Sequence, residues 1–238
     1  MNKRTIGLLI PTYTIVFLAM FFGASTYKKA TEVLAVTEAL AGRRCIIIDA
    51  GHGGIDGGAT SCSGVLESQI NLDISLRFND LLHLLGVDTV MIRNGDYSVY
   101  TQGKTIAQQK VSDLKKRVHV ANTTQNAFLV SIHQNYFQDS RYYGPQVFYA
   151  NTPGSNTAAA MLQNSLNAAL SQGSKRKQKP AKGIYLMDNI TCDGILIECG
   201  FLSNPAEEKK LLSPAYQKKL CCVLASVLTN HLIPKQLS

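Results

Sequence analysis

Three runs of buried-type residues each end in a side chain that can titrate, and this pattern leaves few architectures open. Cys45 to Asp49 (CIIID) leads into Ala50, Gly51 and His52; Ala127 to His133 (AFLVSIH) ends in His133; Ile195 to Glu198 is followed by Cys199. Apolar, β-branched runs of this length are strands covered on both faces, and here they alternate with helical patterns. From Glu67 to Leu85, apolar residues fall at Ile70, Ile74, Phe78, Leu81 and Leu85, spacings of four, four, three and four, and Gly86 is the stop. The chain continues with a strand from Val87 to Arg93, a polar loop over 94–112, a short helix capped by Asp113, a strand from Val147 to Tyr149 and a helix from Ala158 to Leu170. A strand over Ile184 to Met187 follows, then a helix start at Asn204, Pro205 and Glu207 and a terminal helix from Pro214 to Leu232. This alternation predicts an α/β sandwich around a mostly parallel or mixed central sheet.

The beginning of the chain is different in kind. Lys3 and Arg4 precede twenty residues without a formal charge, Ile6 to Ser25, and Lys28 and Lys29 close the run. Such a run is long enough to span a hydrocarbon core, while Gly23, Ala24 and Ser25 weakly resemble a cleavage site. Residues 1–26 therefore read as a transmembrane anchor or signal segment, 27–42 as a linker and 43–238 as the one folded domain. Either reading of the segment carries the domain out of the cytoplasm.

Lys plus Arg number 24 against 16 Asp plus Glu, a formal charge of +8, and five of the cations (Lys175, Arg176, Lys177, Lys179, Lys182) share one stretch without an acid. That stretch is a solvated loop or a contact for an anionic polymer. It lacks interleaved aromatics and any recognition motif, which argues against nucleic acid as a partner. The six cysteines form no C-x-x-C pair, and most of them read as small buried apolar residues.

Ligand sites in α/β sheets form at the carboxyl ends of strands. With Glu67 opening the first helix just after the glycine loop, His52, Glu67, His133 and Glu198 could converge. Two imidazoles and a carboxylate are a known ligand set for catalytic zinc, and such a site still needs a base, for which Glu198 is available. On the residues alone other readings stay open. Each His could be an ordinary strand-end residue, and Glu67 could simply favour the positive end of its helix. GHGGIDGG could be a phosphate loop, although it fits neither G-x-G-x-x-G nor the P-loop pattern. Cys199 could be a nucleophile with His52 or His133 as its base, although nothing near it in sequence would activate a thiol.

DAGHGGIDGGA, then Glu67, LKKRVHVAN, SIHQN and LIECGFLSN, in that order, resemble the motifs of the zinc-dependent N-acetylmuramoyl-L-alanine amidases over residues 43–232. The resemblance implies a six-stranded sheet flanked by helices and one zinc ion. It implies hydrolysis of the amide between the lactyl group of N-acetylmuramic acid and L-alanine in peptidoglycan. It also implies His52, Glu67 and His133 as zinc ligands and Glu198 as the catalytic glutamate. Ala50 stands where the family usually has proline, and Cys199 where an apolar or small residue is usual; neither change removes a ligand. Asp49 is a candidate partner for the outer N–H of a ligand imidazole, the alternative being a strand-end hydrogen bond to the glycine loop.

The N-terminal segment, YTQGKTIAQQKVSDLKKRV and GIYLMDNIT, without a wall-binding repeat, look more narrowly like the germination-specific amidases of endospore formers. That likeness implies spore-cortex peptidoglycan as substrate, a step toward muramic δ-lactam, a place at the forespore or spore envelope, and for some members an accessory lipoprotein. Two rival classes make different predictions. One is a catalytically degenerate peptidoglycan-binding or scaffold protein on the same fold; the other is a thiol amidase using Cys199.

Overall fold

The computed structural model describes residues 44–232, together with Lys28, Lys29 and Thr31. The expected anchor over 1–26 lies outside the described residues, and among those described no helix is long and apolar enough to cross a membrane.

Six strands make one sheet: β1 (Cys45–Ala50), β2 (Thr89–Met91), β3 (Ala127–Asn135), β4 (Gln146–Tyr149), β5 (Lys179–Pro180) and β6 (Asp193–Phe201), in spatial order β2-β1-β3-β6-β4-β5. The first four in that order run parallel, whereas β4 is antiparallel to β6 and β5 follows β4, so the sheet is mixed. The helices are α1 (Glu67–Leu84), α2 (Ile106–Thr123), α3 (Ser155–Leu170), α4 (Tyr185–Asn189), α5 (Pro205–Leu211) and α6 (Pro214–Leu232).

Strand alternation divides the apolar runs between two cores. Ile46, Ile48, Val130, Ile132 and Ile197 pack with Ile70 and Phe78 of α1, Leu162 of α3 and Leu224 of α6. Ile47, Leu129 and Leu196 face the other way, onto Ala121 of α2 and Leu186 and Met187 of α4. Because both faces are covered, these strands read as continuous apolar runs.

α1 ends as the sequence indicates: Gly86 at φ 70° puts its N–H on His83 O, and the Val87 N–H returns to Leu82 O, a Schellman motif. Its buried stripe is Ile70, Ile74, Phe78 and Leu82; Leu85, beyond the helix, is exposed. Asn204 caps α5 by accepting from the Ala206 and Glu207 N–H groups, with Pro205 in the first turn.

Three local expectations are corrected. Residues 106–112 are helical, not loop, and Asp113 lies inside α2; the cap is Thr105, which forms a capping box with Gln108. α2 is too polar to show an apolar stripe, so only the T-x-x-Q signal marked its start. Tyr185 to Asn189 form a helix in place of the strand expected over Ile184 to Met187, because a short apolar run has no period that separates the two. The sheet's last strand is instead Lys179–Pro180, within the basic stretch, where an edge position tolerates proline. β2 keeps only three of the residues expected of it.

Candidate metal centre

β1, β3 and β6 lie side by side, and their register pairs Asp49 with Ser131 and His133 with Glu198. Paired residues share a face of the sheet, so these four side chains stand on the α2 side. Cys199, one residue further, falls on the opposite face, fully buried in the larger core, and burial pushes its thiol well above the usual range. It faces away from His133, and the thiol-nucleophile reading falls on that geometry.

Past β1 the chain turns sharply, with His52 itself at φ 60° and Gly58 at φ 70°. A left-handed backbone at a non-glycine residue is strained and persists only where its surroundings impose it. The turn brings His52 Nε2 to 3.3 Å from Glu67 Oε2, while His133 Nδ1 lies 3.0 Å from Glu67 Oε1. One donor atom from each of His52, Glu67 and His133 lies within 4.8 Å of the others, a set suited to one divalent ion. Beside them Glu198 Oε2 is buried without a hydrogen-bond partner. A buried carboxylate oxygen with no protein partner calls for an explanation, and this one stands beside the three donors.

Glu67 is itself tightly held. Its Oε2 accepts from the Ala59 N–H at 3.0 Å, and its Oε1 from the Gln134 N–H at 3.1 Å and Asn71 Nδ2 at 3.2 Å. Burial would raise its pKa, but hydrogen bonds from His133 and His52 outweigh that and keep the carboxyl well below the usual carboxylate range. Burial opposes charge on His52 as well, yet Glu67 and then Asp56 lift it to about 9. The cluster thus draws positive charge, and protons compete with a metal for it. Burial holds Glu198 up at about 7, against the pull of His133.

Two glycines make room for this packing. A Cβ on Gly51 would strike the His133 ring, and one on Gly58 would lie 2.6 Å from Glu67 Oε2 and 2.8 Å from His52 Cδ2. Gly58→Ala is expected to weaken metal binding roughly tenfold or more, since it displaces two donors at once. Competition against a chelator of known affinity measures this; an unchanged affinity would show that the loop absorbs the methyl.

The N-acetylmuramoyl-L-alanine amidase family matches residues 46–230, a span that contains all four residues. The chain belongs to this family. It is 37% identical over 179 residues to the germination-specific N-acetylmuramoyl-L-alanine amidase of Bacillus subtilis (strain 168), covering 74% of this chain and 75% of that one. The structure of the CwlD amidase from Clostridioides difficile, determined in complex with the GerS lipoprotein, matches with a TM-score of 0.76 at 35% identity, over 80% of this chain and 98% of that one. An N-acetylmuramoyl-L-alanine amidase from Clostridium difficile 630 matches with a TM-score of 0.70 at 27% identity, over 82% and 99% of the two chains. The protein is accordingly a peptidoglycan amidase, resembling the germination-specific type.

Supports of the amidase centre that sequence reasoning missed are Asp56, Lys110, Arg93 and Arg117. His52 Nδ1 lies 2.9 Å from Asp56 Oδ2, and Lys110 of α2 holds the other Asp56 oxygen at 2.9 Å. Asp56, four residues on, is therefore the imidazole's outer partner. Asp49 is not: it takes Ser131 Oγ at 2.6 Å and the Arg117 guanidinium. Arg93, fully buried, donates to Ala50 O, Gly51 O and Ser68 O, tying the glycine loop to α1. Arg117 adds bonds to Ala50 O at 3.0 Å and His52 O at 2.8 Å. Arg93 carries no sequence signal of its role, since it binds backbone carbonyls distant along the chain, and Asp56, though only four residues from His52, is aimed at it by the turn alone. The centre opens into a pocket of about 310 Å³ whose wall includes Ile55, Leu114, Ile184 and Leu186.

Proposed function

We propose that this amidase is a zinc enzyme that strips stem peptides from spore-cortex peptidoglycan, cleaving the amide between the lactyl group of N-acetylmuramic acid and L-alanine as a step toward muramic δ-lactam. His52, Glu67 and His133 hold the metal, and Glu198 is the catalytic acid–base. The observation that carries this reading is the convergence of three donors beside the unpartnered Oε2 of Glu198. When bound, zinc supplies Lewis acidity, lowering the pKa of a water toward about 7 and polarising the amide carbonyl.

The remaining chemistry belongs to the chain. Glu198 takes the proton of the attacking water and hands it to the leaving amine of L-alanine, a transfer suited to a group balanced near neutrality. Asp56 orients the His52 ring, and the hydrogen bonds on both oxygens of Glu67 fix its direction. The cortex assignment rests on likeness to the germination-specific relative, and an accessory lipoprotein on the complex solved for CwlD. The N-terminal segment would anchor or export the domain to the spore envelope. A degenerate scaffold on this fold would be expected to have lost a donor or the base, and all four are present.

The test is metal content and amide hydrolysis measured together, before and after chelation. Activity is expected to vanish with the chelator and to return with about one equivalent of zinc. Full activity in metal-free protein would overturn the assignment, and a zinc-loaded protein that binds peptidoglycan but cleaves none would favour the scaffold.

A further inference from the structure

The stretch richest in cations meets the end of β6 beside a cluster of rings. After β3 come Tyr136 and Phe137 and, past a turn, Tyr142 and Tyr143, each about half exposed. Phe137 meets Tyr142 edge to face at 4.9 Å, and Tyr142 lies 6.0 Å from Phe201, the last residue of β6 and three beyond Glu198. Arg176 places its guanidinium 5.3 Å from the centre of the Phe201 ring and donates to Tyr143 O at 3.2 Å.

The backbone of this stretch is fixed. Gln146 Nε2 binds Lys177 O at 2.8 Å, and Asn167 Nδ2 binds Arg176 O at 2.8 Å. With Arg176 partly turned inward, Lys175, Lys177 and Lys179 are left exposed, and among the described residues no carboxylate pairs with them. They border a groove of about 590 Å³ whose lining holds no acidic residue. Arg141, which also lines it, is already engaged by Asp139 at 2.7 Å. Lysine on an edge strand also discourages edge-to-edge pairing, but that accounts for Lys179 alone and not for the seating of Arg176 over Phe201.

We infer that this strip of rings and cations is a second contact for the peptidoglycan strand, outside the centre that cleaves it. Rings of this exposure present flat apolar faces to sugars, and three unpaired ammonium groups suit the carboxylates of stem peptides neighbouring the one being cut. The inference rests on the amidase reading of the site. A polymer engaged at both places gains from effective concentration, and a single muropeptide does not.

The experiment uses the full, zinc-loaded chain with Lys175, Lys177 and Lys179 all changed to Gln, and separately with Tyr143→Ala. Co-sedimentation with purified insoluble peptidoglycan is the binding readout, and hydrolysis of a soluble single-stem muropeptide is the catalytic one. The triple variant is expected to bind the polymer about tenfold more weakly at low salt, a gap that closes near ~1 M salt, with kcat and KM on the muropeptide unchanged. Tyr143→Ala is expected to lose polymer binding at both salt levels. Peptidoglycan whose carboxylates have been amidated should bind the wild type as weakly as the triple variant binds untreated polymer.

Undiminished polymer binding in both variants would overturn the inference, as would equal losses on polymer and muropeptide. So would loss of sedimentation only with anionic phospholipid vesicles, which would assign the lysines to a membrane surface. If the wild type sediments with peptidoglycan but cleaves neither substrate, the proposed function fails, while the binding comparison still decides this inference.

Discussion

A Glu198→Gln amidase is expected to keep its metal and to lose about 10² to 10⁴ in kcat. The exchange keeps shape and volume but removes the only oxygen among the four converging residues that is buried without a partner. Nothing in the donor set of His52, Glu67 and His133 depends on it, so zinc content should stay near that of the wild type. His133→Ala, by contrast, should lose metal and activity together. The pH profile supplies a second readout. A base works only when deprotonated, so kcat/KM rises with pH as Glu198 ionises, and burial places that ionisation near 7. A dication at the donor cluster favours the carboxylate, so in the loaded enzyme the acid limb lies at or below about pH 7. The Gln variant should lack this limb. Full activity in Glu198→Gln, with the limb intact, would show that another group moves the proton.

The parts of this centre that could be read from the chain are those announced by strands. CIIID and AFLVSIH are long enough in apolar residues to be strands buried on both faces, and a parallel sheet sends their carboxyl ends to one rim. His52, His133 and Glu198 follow from that rule, and Glu67 from its place at the start of a periodic helix. What lay beyond reach was set by long-range pairing. Asp49 carries the look of a partner for an imidazole, but the fold brings Arg117 and Ser131 against it, and nothing local in the sequence encodes that choice. Asp56 lies inside the same glycine loop as His52, yet only the strained turn at φ 60° aims one at the other. α2 was missed over its first two turns because a helix that lays a polar face near a site shows no apolar stripe. The exchange of Ile184–Met187 for Lys179–Pro180 as the outer strand has the same origin: a short segment takes its form from its neighbours, not its period.

The largest effect on stability is expected at Arg117, which is 3% exposed and holds Asp49, 1% exposed, together with Asp113 at 2.6 Å. Burial alone would raise the pKa of Asp49; the Arg117 charge, with help from His133 and the Ser131 hydroxyl, reverses this and keeps the carboxyl below its usual range. Arg117→Met leaves that buried carboxylate without its cation, a change that costs about 3–5 kcal/mol in comparable interiors. Urea unfolding at neutral pH measures it. The sign of the pH dependence follows from the depressed pKa. In the wild type the Asp49 contribution is complete above the unfolded value of about 3.9 and is lost as pH falls through the folded one. In Arg117→Met, Asp49 is protonated at higher pH and has little left to lose, so the gap between the two proteins should narrow in acid. Pairing Arg117→Met with Asp49→Leu should recover part of the loss, because the penalty comes from a stranded charge more than from a missing attraction. Activity should not recover with stability. Arg117 also binds Ala50 O and His52 O, and this double variant still lacks the donors that hold the strained loop where His52 reaches Glu67. Recovery of both together would show that Arg117 serves the fold alone; recovery of stability without metal affinity would show that the buried ion pair exists to hold His52 in place.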